Sequence, residues 1–254
     1  MAISADLILA SISAALFGAI FLQFAFRFSR SRWWLYLFCA FFCAIRVAGY
    51  SLRAYLASGP VLSTAEWINY YIADTVLMSV GALFVLLILA RLYHSILPKL
   101  RYMDGQEPRT LFEKTLVDHT RLVLLPIIGC VIAGAVLASY PDKANLSLIL
   151  RKIAMFGLFA AGIIFLLAAL SFRRRYTEHS RPFTIAVAVT GLFQLSMIYK
   201  IVSVFNAAAS NSLPAYYICS TLLELAALGF LCGDLQTYFL GHKKDKLPKA
   251  SEMS

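Results

Sequence analysis

The chain has 254 residues, 61% of them hydrophobic and only 14% charged, with a mean hydropathy of +0.76, whereas soluble domains carry about 25% charged residues. That composition excludes a water-soluble globular domain. The net charge of +10 would suit a nucleic-acid binder, but Lys and Arg sit in short clusters between apolar runs, where they set membrane orientation, so no nucleic-acid partner is read from them.

A helix needs about 20 apolar residues to cross a bilayer. Seven such runs follow one another, at about 6–26, 33–56, 66–92, 120–140, 147–172, 182–208 and 214–240. The expected fold is an all-α membrane protein: a seven-transmembrane-helix bundle over residues 1–241 with a basic cytoplasmic tail over 242–254. Nothing basic precedes the first run, and Asp6 opens it, so it lacks the front end of a cleavable signal and is expected to stay in the mature chain. It ends at Arg27, Arg30 and Arg32, next to Trp33 and Trp34. The second run carries Cys39 and Cys43, a buried-level Arg46 and Tyr50, and gives way to Arg53 and Tyr55. The third begins near Trp67, Asn69 and Tyr70, holds Asp74 and Thr75, and ends at Arg91 and Tyr93. The connection from 94 to 119 is the longest, and Thr110-Leu-Phe-Glu113 within it has the form of a capping box.

The fourth run contains Cys130 and ends near Tyr140; Asn145-Leu-Ser147 beyond it is a glycosylation sequon. The fifth ends at Arg173, Arg174 and Arg175. The sixth holds Gln194, Tyr199, Lys200 and Ser203. The seventh starts at Tyr216 and Tyr217 and holds Cys219, Thr221, Glu224, a Gly229-x-x-x-Gly233 close-approach motif, Cys232 and Asp234. Close packing of that motif within the chain is expected rather than dimerisation. The five cysteines read as small buried apolar residues. The four histidines, His94, His119, His179 and His242, lie among basic residues without ligand-spaced partners. No metal site and no cofactor are expected.

Loops that follow odd-numbered runs, with the tail, hold seventeen Lys and Arg; the opposite side holds four. Positively charged loops resist translocation, so the N-terminus is expected outside and the C-terminus in the cytoplasm. The aromatic residues agree, since Trp33, Trp34, Tyr93 and Tyr238 fall at inner ends and Tyr55, Trp67, Tyr70, Tyr140, Tyr216 and Tyr217 at outer ends, the headgroup level.

Four ionisable residues fall inside spans: Arg46, Asp74, Lys200 and Glu224. Counted from outer helix ends, each is roughly 12–15 Å deep at about 1.5 Å per residue. Left unpaired at roughly 2.5–3.5 kcal/mol each, together they would cost on the order of 10–14 kcal/mol. They must pair or face water. One reading is structural ion pairing; the other is an outward-open polar cavity that binds an amphipathic ligand or relays protons through Asp74 or Glu224. Tyr50, Asn69, Thr75, Gln194, Tyr199, Ser203 and Thr221 would line it, with Arg91 and Asp234 as an inner gate. The cation-then-anion order in helices two and three and again in six and seven suggests a 3+1+3 parallel pseudo-repeat, as in some transporters.

Phe42-Cys-Ala-Ile-Arg46-Val-Ala-Gly49, Thr120-Arg-Leu-Val, Met197-Ile-Tyr-Lys200-Ile-Val and Leu222-Leu-Glu224-Leu together resemble an uncharacterised fungal seven-helix membrane domain family. That resemblance implies the fold over nearly the whole chain and no particular activity. More distantly, Arg46-x-x-Gly49-Tyr50-x-x-Arg53 and Tyr199-Lys200-x-x-Ser203 are similar to motifs of the fungal lipid-translocating exporter family, with a cation replacing the carboxylate in the first and Ser203 replacing it in the second. The expected function is transport or handling of a lipid or small amphipathic molecule in a plasma or internal membrane, with membrane lipids as partners. A seven-helix receptor is the alternative. An intramembrane enzyme of terpene-cyclase type is less favoured, because a cation at the depth of each acid should hold it ionised.

Overall fold

A computed structural model describes residues 4–103, 120–138, 140–177, 180–205 and 213–232. The described residues are almost entirely helical and form no strand: α1 (Ala5–Ser31), α2 (Trp34–Ala57), α3 (Thr64–Met103), α4 (Thr120–Leu137), α5 (Ala144–Arg175), α6 (Ser180–Phe205) and α7 (Leu213–Leu231). A short 3₁₀ turn, Pro141–Lys143, precedes α5. α7 changes character along its length, with an α-helical turn at Leu213–Tyr216, π-helix at Tyr217–Leu222 and α-helix again at Leu223–Leu231. Thr110, Glu113, His119, His179, Gly233, Asp234, Tyr238, His242 and the basic tail lie outside the described residues.

Five helices are long and apolar enough to cross a membrane: α1, α2, α5, α6 over Arg181–Ser203 and α7 over Pro214–Leu231. In α3 and α4 the apolar stretches are shorter, Leu83–Ser95 and Leu124–Leu137. The chain is therefore built as a multi-pass membrane protein. In α3, Glu66 and Asp74 interrupt the hydropathy of the first half, although the helix itself is continuous. It also runs past residue 92, where the sequence suggested an end, because Leu92, Tyr93 and Leu97 keep one face buried.

Local chemistry sets several ends. Ser4 caps α1 by accepting the Leu7 N–H at 3.2 Å. Ser63 and Glu66 form a reciprocal capping box at the start of α3, with Ser63 N donating to Glu66 Oε2 at 2.9 Å and Glu66 N to Ser63 Oγ at 3.4 Å. Arg32, at φ 51°, closes α1 in the left-handed region, its N–H reaching Phe28 O at 2.7 Å. The reversal into α2 therefore takes only two residues.

Consecutive helices pack against each other, and α3 also touches α5 and α6. α5 buries Ala154, Leu158, Ala161, Phe165, Ala168 and Phe172, a three-four spacing that keeps one stripe inward. Phe183, Ala186, Thr190, Phe193 and Met197 repeat that spacing on α6. Small residues opposite large ones let the two backbones approach closely, the usual means of helix association in lipid. At Gly162 any side chain would run into Gln194. Elsewhere the pattern is inverted relative to a soluble protein: Ile8, Ile12 and Leu16 form an exposed apolar face of α1, while Arg46 and Glu224 are buried.

Two aromatics expected at the headgroup level are buried instead. Tyr93 stacks on Phe165 at 5.7 Å and donates to Phe165 O at 3.1 Å. Tyr217 donates to Asp6 Oδ1 at 2.8 Å, joining α7 to the start of α1. Depth along a helix places a residue at a level but does not choose the face, and both tyrosines take the inner face. Gly229 also departs from expectation: it is exposed, and a Cβ there would meet nothing within 4 Å, so among the described residues it brings no helix close.

Tyr93→Phe should lower stability by about 0.5–1.5 kcal/mol, the net value of one hydrogen bond, with the stacked packing retained. Thermal unfolding of purified protein in detergent, compared with Tyr93→Leu, checks this; the leucine variant should lose more.

Candidate functional site

Five charged side chains from α2, α3, α6 and α7 meet in two tiers. In the deeper tier, Arg46 Nη2 donates to Glu224 Oε1 at 2.6 Å and Lys200 Nζ donates to the same oxygen at 2.9 Å. The Arg46 and Glu224 side chains are 1% and 3% exposed, Lys200 15%. In the shallower tier, Arg53 Nη2 donates to Asp74 Oδ2 at 3.0 Å, and these side chains are 24% and 12% exposed. Exposure therefore grades from the Arg53 tier down to the Arg46 tier.

Helix periodicity produces the tiers. Arg53 lies seven residues beyond Arg46, two turns along α2 and so on the same face, about 10 Å away. α3 runs antiparallel, and the residue seven beyond Asp74 is Gly81, which faces the Arg46 guanidinium. A Cβ on Gly81 would stand 2.6 Å from Arg46 Cζ. The missing side chain at this position is what makes room for the Arg46 guanidinium against α3. Phe42, one turn before Arg46, places its ring 5.2 Å from the same carbon.

Aromatic rings surround the charges. Phe17 stacks on Tyr50 at 5.5 Å, Tyr50 approaches Tyr217 at 6.3 Å, Tyr217 meets Tyr216 at 5.2 Å, and Tyr216 meets Tyr199 at 6.5 Å. That series links α1, α2, α7 and α6. Arg53 lies over the Tyr216 ring at 4.3 Å, a cation–π contact that helps hold it. Between the tiers, the Tyr50 hydroxyl and Thr221 Oγ1 share a 2.6 Å hydrogen bond. Thr221 belongs to the π-helical stretch ahead of Glu224; such wide turns concentrate at functional sites.

Residues level by counting are not the ones that pair: Asp74 is bound by Arg53, which the sequence reading counted among the outer-side charges at the end of the second run. α3 begins at Thr64 after a six-residue link and reaches farther than the end of α2 at Ala57, which raises Asp74 to the upper tier. Glu224 serves Arg46 as well as Lys200.

Of the supporting residues, Tyr50, Thr221 and Tyr199 join the site. Ser203 donates to Lys200 O at 2.8 Å and so steadies the backbone below the ammonium. Asn69 is exposed and Thr75 half-buried. Gln194 turns away and donates to Phe159 O on α5 at 3.2 Å. Arg91 lies over Phe38 at 5.4 Å; its expected gate partner Asp234 is outside the described residues. Asn145 is exposed, but Ser147 of the sequon is buried and donates to Gly134 O at 2.6 Å, so the hydroxyl that a sequon requires is held in the α4–α5 contact.

The network is incomplete in one respect. Among the described residues no hydrogen-bond donor reaches Glu224 Oε2 or Asp74 Oδ1, although both atoms are buried. A buried carboxylate oxygen without a donor forgoes a charge-assisted bond, at a cost of about 1–3 kcal/mol or more. Among the described residues Lys200 Nζ makes one hydrogen bond, to Glu224, and an ammonium has three donors. The arrangement can therefore accept a hydroxyl at either acid and present N–H donors at the lysine.

Gly81→Ala should displace Arg46 and cost about 1–3 kcal/mol, the usual range for overpacking, whereas Gly229→Ala should be near neutral. Paired thermal unfolding measurements check the contrast; equal effects would show that Gly81 does not make room for the guanidinium.

No family model matches this chain, and neither a curated protein nor a solved structure matches it.

Proposed function

We propose that this protein crosses the membrane seven times, with its N-terminus outside and C-terminus in the cytoplasm, and moves or handles an amphipathic molecule at the two-tier charged site. The proposal includes kinship with the fungal seven-helix membrane domain and, more distantly, with fungal lipid-translocating exporters, and a parallel relationship between α1–α3 and α5–α7. In this orientation the charged tiers lie in the outer half of the membrane. The five long apolar helices and the apolar outer faces support membrane residence. The excess of Lys and Arg on alternate loops supports the orientation.

The observation that carries the functional reading is the unfinished hydrogen bonding of Glu224 and Asp74. Ion pairs retained only to order helices are expected to satisfy their buried acceptors, because half-satisfied buried networks are costly. Here acceptors and donors are left over, next to tyrosine rings that suit the apolar part of an amphiphile. Ionisable groups inside a membrane commonly mark such pathways.

An N-terminal epitope should be reached by antibody on intact cells and a C-terminal one only after permeabilisation; the reverse pattern would overturn the orientation. For activity, the full chain reconstituted in phosphatidylcholine vesicles should speed the exchange of fluorescently tagged phosphatidylserine between leaflets. Glu224→Gln, delivered and folded normally, should reduce that rate at least tenfold, since it leaves Arg46 and Lys200 facing each other. Exchange no faster than in protein-free vesicles, or a full rate in the variant, would remove the transport reading.

A further inference from the structure

The deeper tier leaves an acceptor and donors unused side by side. Glu224 Oε2 is buried and receives no hydrogen bond among the described residues. Lys200 Nζ gives one hydrogen bond there, to Glu224 Oε1 at 2.9 Å, although an ammonium has three donors. The two oxygens of a carboxylate share one carbon, so a single small group can reach both Oε2 and Nζ. The hydroxyls of Ser203 and Thr221, one turn away, are committed elsewhere: Ser203 donates to Lys200 O at 2.8 Å, and Thr221 Oγ1 shares its 2.6 Å bond with Tyr50. A group that completes the pair must therefore donate and accept at once. An ether or an ionised carboxylate only accepts and an ammonium only donates, whereas a hydroxyl does both. Beside Lys200, the Tyr199 ring meets Tyr216 at 6.5 Å, and both residues are partly exposed. Such rings offer an apolar surface next to the polar position.

We propose that the polar end of this site's ligand is an uncharged hydroxyl, which donates to Glu224 Oε2 and accepts from Lys200 Nζ while the apolar portion lies against Tyr199 and Tyr216. The ligand class is a neutral alcohol amphiphile, a chemistry that straight-chain alcohols and sterols share. Lys200, 15% exposed against 3% for Glu224, is the side from which it enters. The inference rests on reading the charged tiers as a ligand site, and it names the ligand's polar group.

The test is equilibrium binding of radiolabelled dodecanol to the full chain in phosphatidylcholine nanodiscs, with empty discs as background. Unlabelled dodecanol, its methyl ether, dodecylammonium, dodecanoate and cholesterol serve as competitors, compared by mole fraction in the lipid. Saturable binding is expected, with dodecanol competing about ten- to a hundredfold better than the ether, the value of one hydrogen bond to a charged group. The ammonium and the carboxylate should also compete more weakly than the alcohol. Displacement by cholesterol at a similar mole fraction identifies a sterol as the source; displacement by dodecanol alone identifies a straight chain. Lys200→Met keeps the Arg46–Glu224 bond and should weaken alcohol and ether together, about tenfold, because both accept from the lysine. The comparison of alcohol with ether uses the parent chain, so it holds even if that variant fails to fold. Equal competition by the ether, the result expected if the position merely holds water, would overturn the proposal. So would tighter binding of the ammonium or the carboxylate, or unchanged alcohol binding in Lys200→Met. Selective alcohol binding without leaflet exchange would remove the transport reading alone; leaflet exchange that dodecanol and its ether slow equally would remove this inference alone.

Discussion

A single carboxylate oxygen holds the arrangement of three helices. Glu224 Oε1 on α7 receives Arg46 from α2 and Lys200 from α6. Removing one partner of a buried pair typically costs about 3–5 kcal/mol because the remaining charge is stranded, and here removal of Glu224 strands two. The bond is also directional, unlike the α5–α6 contact, where Ala and Phe side chains interlock without specifying a rotation. Apolar packing sets how closely these helices approach, and the shared carboxylate sets which of them adjoin. α7 needs that constraint most, because its polar bonds to α1 and α2 supplement its packing on α6.

The constraint extends to α3 through Gly81. A guanidinium bonded to α7 must still pass α3, and at that level α3 has no side chain. Two turns higher the same pair of helices has the opposite problem: Arg53 needs a partner, and Asp74 supplies it. Antiparallel helices bring seven-residue steps into register, so both solutions follow from one alignment of α2 on α3. Tyr50 stands between the tiers, stacked on Phe17 and bonded to Thr221, and its ring lowers the local dielectric around both. Electrostatic attraction in such surroundings is several times stronger than in water, which makes each misplacement correspondingly expensive.

The helices were legible in the sequence because apolar runs and charge clusters are one-dimensional signals; their starts fall within a few residues of expectation, while α1 and α3 run on past theirs and the expected ends of the sixth and seventh runs lie outside the described residues. The charged residues stood out for the same reason: each breaks an apolar run. Their partners were not legible. Counting inward from a helix end assumes that neighbouring helices end at one level, and the link from Ser58 to Ser63 allows α3 to project beyond α2, which puts Asp74 opposite Arg53. Arg53 was counted with the outer-side charges and not with the ionisable residues inside spans, because it lies one turn from the end of α2 at Ala57. Tyr93 and Tyr217, expected at headgroup level, face inward, because position along a helix does not fix azimuth. Gly81 carried no signal, since glycine is common in membrane helices and its role depends on a residue thirty-five positions away. The π-helical stretch in α7 had no sequence mark either.

The two tiers differ in burial: Arg53 and Asp74 are the more exposed pair, and Arg46, Lys200 and Glu224 form the more buried group. Coulombic attraction strengthens as water is excluded, so the inner group constrains which helices adjoin more tightly than the outer pair, whose charges water screens. Breaking the inner group is correspondingly more costly, because a charge stranded there has no solvent to turn to.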